Sequence, residues 1–443
     1  MTMRTLAAAL VVAAMLLVPL GLIGTASAAG PSRDLTPIVI GPVSTDRLGG
    51  GDLVAVKAGD ALFGVRYGTT NHTNDVVIFA EYKRFLGGAE IVDAQGGYLA
   101  TRGIPVYTVF AQSLSRFIEF QQRNVSDGFD LVSVDHLFPF PLTQNVPVKA
   151  LSLSTAWDLS NLTSETVGGV TYVNFTVSAT NLHYTRVLNN TNLGDGMLNR
   201  AAFTFHLTVS ARDKAAQIPW YRVTVSAADR REISHVEFLG YRNVTGPAIG
   251  LGAKYDHLIE GWDFASMQDK LALETHLIIG NYIPDRTADF VHLAYGKDRA
   301  DDGNRSLGDA TTLNETAPTR PHLYTRDRVY FDDDFTRIGR FEWATSVTVD
   351  GQAATMTFNV QGGGRIALSH AGAYFLGFWL RGAFVYPAGA VIEHDPVLST
   401  EAFLDLPSGV NLTPVTILAA QIAVVGIAMG PALYLRAKAR RQS

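Results

Sequence analysis

The chain of 443 residues contains no cysteine. This absence excludes disulfide bonds, thiolate metal sites, iron–sulfur clusters and cysteine nucleophiles. Charge is sparse as well, because charged residues make up 17% of the chain and the formal net charge is -5. That balance provides no broad basic surface, so no nucleic-acid partner is expected. Stability must come from packing of the hydrophobic residues, which amount to 47% of the chain.

Catalytic motifs are also lacking. The sequence has no Gly-Lys phosphate-binding loop, no serine nucleophile elbow and no His-Glu-x-x-His zinc helix. Long amphipathic helices are scarce, and residues 111–122 and the short segment 263–270 are the candidates. These absences favour a non-enzymatic protein with little helix.

The N-terminal segment is typical of an export signal. An apolar run over residues 6–22 leads to Ala26-Ser27-Ala28, the small-x-small pattern that signal peptidase accepts. We therefore interpret residues 1–29 as a signal peptide. The run is slightly long for that role, and the alternative is an uncleaved N-terminal membrane anchor.

A second apolar segment, residues 415–435, contains no charged side chain. A helix of this length matches the hydrocarbon core of a bilayer, which is roughly 30 Å thick. The basic tail 436–443 follows at once, and the positive-inside rule keeps such a tail in the cytoplasm. The sequence thus predicts a single-pass protein of the cell membrane, held by lipid contacts of this helix, with its N-terminal bulk outside.

Residues 366–392 are also apolar and aromatic, but four glycines and Pro387 interrupt them. A second span here would place the basic tail outside the cell. We therefore interpret this segment as buried core strands.

Glycosylation acceptor triplets Asn-x-Ser/Thr are frequent, with nine against about two or three expected by chance. Every acceptor lies between the signal peptide and the membrane segment, where an export-side glycosyltransferase reaches it. A simpler explanation is that Asn and Thr are common in β-loops. A cysteine-free, sequon-rich chain with one anchor resembles archaeal surface glycoproteins as a class. The predicted glycosylation sites are Asn71, Asn124, Asn161, Asn174, Asn189, Asn243, Asn304, Asn314 and Asn411.

Strand patterns dominate the middle of the chain. Apolar and polar residues alternate from Phe203 to Ser210 and from Tyr221 to Ser226. This alternation is typical of strands in a sheet that has one buried and one solvent-exposed face. Asp350-Gly351 suits a tight I′ turn and predicts a hairpin over residues 343–360. The sequence predicts a mainly β fold, with one or two β-sandwich-like extracellular domains plus a single C-terminal transmembrane α-helix.

Domain boundaries follow from Gly, Pro and polar stretches. The broken stretch 124–147 separates an N-terminal β-rich domain, residues 30–140, from a larger β-sandwich domain, residues 141–400. Residues 296–321 form a polar loop within the larger domain, and residues 401–414 a juxtamembrane linker.

One group of side chains suggests a divalent metal site. Odd positions from Leu271 to Ile279 are apolar except Thr275, so Glu274 and His276 share the opposite strand face. Beside a neighbouring strand that bears Asp256 or His257, they are suited to bind a metal. The alternative is that this face is simply exposed to water.

Three further groups carry polar side chains at high density. The oxygen-rich runs 332–334 and 298–304 suit calcium, although neither has the spacing of an EF-hand. Glu393-His394-Asp395 is a candidate catalytic site. No cofactor is predicted, and calcium or another divalent metal stays an open possibility.

The function expected from these features is that of a membrane-anchored, N-glycosylated surface protein. Its β-rich ectodomain is structural, adhesive or ligand-binding, with envelope proteins or glycans as partners. The alternative is a membrane-tethered extracellular hydrolase or lyase acting on polysaccharide or peptide. A substrate-binding receptor is a third possibility, but the two-lobe α/β pattern and an anchoring cysteine are missing.

Overall fold

A computed structural model describes the chain over residues 36–45, 50–121, 146–184, 196–226, 232–284, 322–325, 328–332, 337–370, 373–394 and 396–403. These ranges consist of β-strands and connecting loops, with no helix. None of the residues described therefore forms a helix suited in length and apolarity to crossing a membrane. The predicted signal peptide, polar loop, membrane helix and basic tail lie outside the described residues, as does most of the linker.

Twenty strands make up the described fold, so the mainly β prediction is confirmed. In chain order they are β1 (Ile38–Ser44), β2 (Asp52–Ala58), β3 (Ala61–Tyr67), β4 (Val76–Val92), β5 (Tyr98–Gln121), β6 (Val146–Ser152), β7 (Asp158–Val167), β8 (Val170–His183), β9 (Met197–Val225), β10 (Ile233–Glu260), β11 (Lys270–Pro284), β12 (His322–Thr325), β13 (Arg328–Asp332), β14 (Arg337–Trp343), β15 (Ser346–Val349), β16 (Gln352–Thr355), β17 (Thr357–His370), β18 (Ala373–Pro387), β19 (Val391–His394) and β20 (Pro396–Phe403). They form two antiparallel sheets.

Sheet I has the strand order β1-β2-β3-β4-β5-β11-β18-β17. Strand β6 extends it by pairing with the last residues of β5. The central strand β5 therefore pairs with a strand that comes about 150 residues later in the chain. The two regions that the sequence places on either side of residues 124–147 share this sheet, because β11, β17 and β18 complete the layer that β1–β5 begin.

Sheet II has the order β7-β8-β9-β10, and β10 then pairs with β19 and β20. Strand β15 continues from β19, and β14 continues from β20. The short strands β12, β13 and β16 complete this layer.

The core lies between the two sheets. Phe203 and Phe205 of β9 are buried, whereas Thr204 and His206, which follow them, are not, and this confirms the predicted alternation in this strand. Across the interface, the ring centroid of His257 lies 5.4 Å from that of Phe384 in sheet I. Burial of such aromatic side chains supplies the packing that a cysteine-free chain requires.

The predicted hairpin around Asp350-Gly351 is confirmed. Strands β15 and β16 pair from Ser346 to Thr355, and the φ angles of Asp350 and Gly351 are 51° and 76°. Positive φ at both central residues is the requirement of a I′ turn. The interpretation of residues 366–392 as strands is also confirmed, since they lie mostly in β17, β18 and β19.

The two predicted helices are wrong. Residues 111–121 belong to β5, and residues 263–269 form a loop before β11. Strand β5 is buried on both faces, so its apolar residues do not alternate, and a register shift opposite Glu274 and Thr275 displaces the pattern by one residue. A strand of this kind imitates helical spacing.

Strands β9 and β10 form a long hairpin whose far end carries a small sheet of its own. There, residues Gly88–Val92 of β4 run parallel to Trp220–Thr224 of β9, which links sheets I and II. We call the pairing of β5, β4, β9 and β10 in this region the distal sheet. The Trp220 ring lies under the guanidinium of Arg242, 4.4 Å from centroid to Cζ, and Arg242 binds Glu90 at 2.7 Å.

Candidate functional site

The main candidate site lies on the face of sheet I that points away from sheet II. Glu274 of β11 is directly opposite Arg116 of β5, and the next outward residue, His276, is opposite Arg381 of β18. We call Arg116, Glu274, His276 and Arg381 the arginine–glutamate cluster. The sequence prediction that Glu274 and His276 lie on one strand face agrees with this geometry.

Both carboxylate oxygens of Glu274 are occupied. Arg116 donates from Nε to Oε2, and Arg381 donates from Nε to Oε1. Nε2 of His276 lies 3.2 Å from Oε1. The Glu274 side chain is 1% exposed, whereas those of Arg381 and His276 are 27% and 28% exposed. A buried anion thus positions two partly exposed arginines, Arg116 and Arg381.

The charge state of Glu274 follows from two opposing effects. Burial alone would raise the pKa of this carboxyl group. The charge of Arg116, the hydrogen bond from His276 and the charge of Arg381 outweigh that effect and hold the pKa well below its usual range. Glu274 is therefore ionised at neutral pH and unsuited to act as a general acid or base there.

A second carboxyl group stands behind the cluster. Asp75, just before β4, is 4% exposed, and burial raises its pKa to about 7. The charge of Arg66 opposes this shift, and the charge of Glu274 adds to it. Among the described residues, Arg66, Arg116 and Arg381 are the arginines whose charges act on these two carboxyl groups.

Trp379 extends the cluster along β18. It is two residues from Arg381, so the two side chains leave the same face of the strand, and the Trp379 residue is 40% exposed. On the adjacent strand β17, Gly362 and Gly364 pair with Arg381 and Trp379.

The expected metal site is not assembled. Strand β10, which bears Asp256 and His257, pairs with β9, β19 and β20, whereas β11 pairs with β5 and β18. Asp256 contacts His206 at 3.1 Å on sheet II, and His257 points into the core. The two arginines on Glu274 also repel a cation. Within the described ranges, no group of three or more His, Asp or Glu side chains is placed to hold a metal ion.

No protein-family model matches the chain, and none of the curated proteins matches it. The site must therefore be interpreted from its own geometry.

A buried polar chain in the core was missed by sequence reasoning. The Tyr386 hydroxyl contacts Nδ1 of His257 at 2.9 Å and Nδ1 of His394 at 3.3 Å. Burial and the neighbouring His394 hold the pKa of His257 well below its usual value. The sequence did contain a signal for this position. Ala253, Tyr255 and Ile259 alternate along β10 and mark its inward face, and residue 257 has the same parity.

Few of the other polar candidates lie within the described residues. Of the proposed catalytic triplet, Glu393 is exposed and His394 is buried, while Asp395 lies outside the described residues. Asp332 is the last residue of β13. The remaining calcium candidates lie outside the described residues: Asp298, Asp301, Asp302, Asn304, Asp333 and Asp334.

A further buried carboxylate, that of Glu119, has a structural role. Glu119 accepts hydrogen bonds from Nε1 of Trp262 and from the backbone N–H of Ala265, both at 2.7 Å. The Nζ of Lys149 lies 3.4 Å from the same carboxylate and donates to the carbonyl of Asp263. These contacts fix the loop between β10 and β11, so they explain why residues 263–269 are ordered without a helix.

Four of the nine sequon asparagines are described. Asn71, Asn161 and Asn243 are exposed. Asn174 is half-buried, and its Oδ1 lies 2.8 Å from Nδ1 of His206. The other five sites, Asn124, Asn189, Asn304, Asn314 and Asn411, lie outside the described residues.

Proposed function

We propose that the protein is a membrane-anchored, N-glycosylated cell-surface protein whose β-sandwich ectodomain binds a ligand at the arginine–glutamate cluster without transforming it. The observation that carries this proposal is the state of Glu274. Its carboxylate is buried, ionised and hydrogen-bonded on both oxygens, so its role is to position the arginines. Partly exposed arginines beside an exposed tryptophan are typical of binding sites.

Further support for a location at the cell surface comes from the sequence. The apolar segment 415–435 and the basic tail give an anchor with the correct orientation. Exposure of Asn71, Asn161 and Asn243 leaves these acceptors accessible to a glycosyltransferase. Membrane lipid, and envelope proteins or glycans, are the partners that this arrangement favours, and no organic cofactor is required.

The test is topological. The full-length chain is produced in cells, and intact cells are treated with an external protease before the membranes are isolated. We expect the protein in the membrane fraction, with residues 30–403 digested and an antibody epitope on the tail 436–443 protected. A variant that lacks residues 415–443 serves as the control and should be released into the medium. A full-length chain that is soluble, or an ectodomain that resists the protease only until the cells are lysed, contradicts the proposal.

A membrane-tethered hydrolase or lyase is a second candidate, favoured by one observation. The pKa of Asp75 is raised to about 7, whereas that of Glu274 is lowered, and a pair of carboxyl groups with separated pKa values is a common arrangement in acid–base catalysis. Both side chains are almost fully buried, which disfavours substrate contact. Incubation of the purified chain with polysaccharides and peptides decides the matter. Cleavage that is lost in Asp75→Asn supports the enzyme, and intact substrates support binding alone.

A further inference from the structure

We infer that the ligand of the arginine–glutamate cluster is an acidic saccharide, whose carboxylate or sulfate group binds Arg381 and Arg116 while its ring packs on Trp379. This inference rests on the proposed function, because it names the ligand class of the same site. It follows from three features of the described residues: charge, the free donors of Arg381, and the open apolar surface beside them.

The charge of the site calls for an anion. Arg116 and Arg381 bring two positive charges to the single carboxylate of Glu274, and burial keeps Asp75 partly protonated near neutral pH. A partly buried excess of positive charge is costly unless a counter-ion accompanies it. An anionic ligand removes that cost when it binds, whereas a neutral ligand does not.

Arg381 has donors available for such a group. Its Nε is used by Glu274, and the described part of the chain offers no hydrogen-bond partner to its two Nη atoms. Because Glu274 fixes the guanidinium plane, the Nη atoms keep a defined direction. Paired N–H donors of arginine match the oxygens of carboxylate or sulfate. His276, 28% exposed at the same carboxylate, adds a polar group at the edge of the site.

The surface next to these donors suits a ring. Trp379 is 40% exposed and lies two residues from Arg381, on the same face of β18. A flat aromatic surface about two residues, or roughly 7 Å, from an anion-binding group accommodates a sugar ring that carries its own acidic substituent. Inorganic sulfate or phosphate would leave the tryptophan surface unused.

The experiment measures binding to the full-length chain in detergent by isothermal titration calorimetry. The probes are a uronic-acid oligosaccharide, a sulfated oligosaccharide, a neutral oligosaccharide of equal length, and inorganic sulfate. We expect an acidic oligosaccharide to bind at least about tenfold more tightly than the neutral one, since a charge-assisted hydrogen bond contributes that much. Inorganic sulfate should bind more weakly than either acidic oligosaccharide.

Variants locate the site. Trp379→Ala and Arg381→Lys should each weaken binding of the acidic oligosaccharide by about tenfold, because the first removes the aromatic surface and the second removes the paired donors. Arg222→Ala and Tyr241→Ala, at an exposed arginine and an exposed aromatic ring of the distal sheet, are the matched controls and should leave binding unchanged. Arg381→Ala is less informative, because it leaves buried Glu274 with one partner fewer and can unfold the chain.

Three results overturn the inference. The first is equal binding of neutral and acidic oligosaccharides, and the second is full binding by Trp379→Ala and Arg381→Lys in folded protein. Binding of inorganic sulfate as tightly as the acidic oligosaccharide, unaffected by Trp379→Ala, also contradicts it, because the site would then be an ion site only. Failure of the proposed function is distinguishable, because it is measured as protease protection on intact cells and does not depend on these probes.

Discussion

Arg381 donates from Nε to the buried Oε1 of Glu274, although 107 residues separate the two in the chain. Arg116 reaches the other oxygen of the same carboxylate from 158 residues away. The antiparallel order β5-β11-β18 brings the three residues together, and Glu274 is the central one. Its charge is therefore expected to govern both the stability of sheet I and the geometry of the candidate site.

Removal of that charge should destabilise the fold. Glu274→Gln leaves two arginines around a neutral amide, and breaking a buried ion pair at one partner costs about 3–5 kcal/mol. Denaturant unfolding of the full-length chain measures the loss. Glu237→Gln is the control, because this exposed residue pairs with Arg222 at 3.1 Å and such a pair contributes less than about 1 kcal/mol. Equal effects of the two variants would show that Glu274 does not organise the sheet.

The raised pKa of Asp75 predicts a loss of stability at higher pH. The folded state keeps the proton up to about pH 7, whereas the unfolded chain releases it near 3.8, so the folded state binds more protons between these values. Stability attributable to Asp75 therefore falls as pH rises through that window, by about 4 kcal/mol in total. Asp75→Asn mimics the protonated form. Its free energy of unfolding should therefore increase relative to that of the natural chain as pH rises from 4 to 8. A difference in unfolding free energy that is constant with pH contradicts the assignment.

The lowered pKa of His257 predicts the opposite dependence at lower pH, where stability should rise as pH rises. Its folded-state pKa is well below 6.5, so below pH 6.5 the unfolded chain binds a proton that the folded core excludes. Through this group, the free energy of unfolding of the natural chain should fall by about 1.4 kcal/mol for each pH unit below 6.5. His257→Phe cannot take up the proton and should lack this contribution. Unfolding free energies of the two chains from pH 7 to pH 5 provide the measurement, and parallel curves would refute the prediction.

Gly88 is expected to be essential for the distal sheet. A Cβ atom added there would lie 2.2–2.7 Å from three atoms of the Trp220 ring, so Gly88→Ala must displace the tryptophan from under Arg242. Amide hydrogen exchange should accelerate in residues 88–92 and 220–224 while the core strands stay protected. Gly250→Ala is the control, because its Cβ would meet only the Ser210 hydroxyl, at 2.8 Å, and rotation of that small side chain relieves the contact. Unchanged exchange in Gly88→Ala would show that the ring is not fixed by this contact.

Local periodicity predicted the parts of the fold that have one buried and one open face. Phe203 to Ser210 alternates because its strand packs on the core on one side only. Strand β5 has both faces buried, so the same rule predicted a helix there. His257 was considered as a metal ligand because of its residue type, although its position in β10 makes it an inward residue.

The candidate site was predictable only in part, for a related reason. Glu274 and His276 are neighbours on one strand, so their common face follows from the apolar positions of β11. Arg116, Arg381 and Trp379 come from strands that are distant in sequence, and pairing of distant strands is not encoded in any local pattern. The metal site was expected on the assumption that the strand bearing Asp256 and His257 neighbours β11, whereas β11 pairs with β5 and β18.

The most direct test of the central claim is a crystal structure of the full-length chain in detergent, grown with a saturating uronic-acid oligosaccharide. The account predicts an intact saccharide on the outer face of sheet I, with its carboxylate on Arg381 and Arg116 and a sugar ring on Trp379. A saccharide bound elsewhere, or a cleaved product beside Asp75 and Glu274, would contradict it.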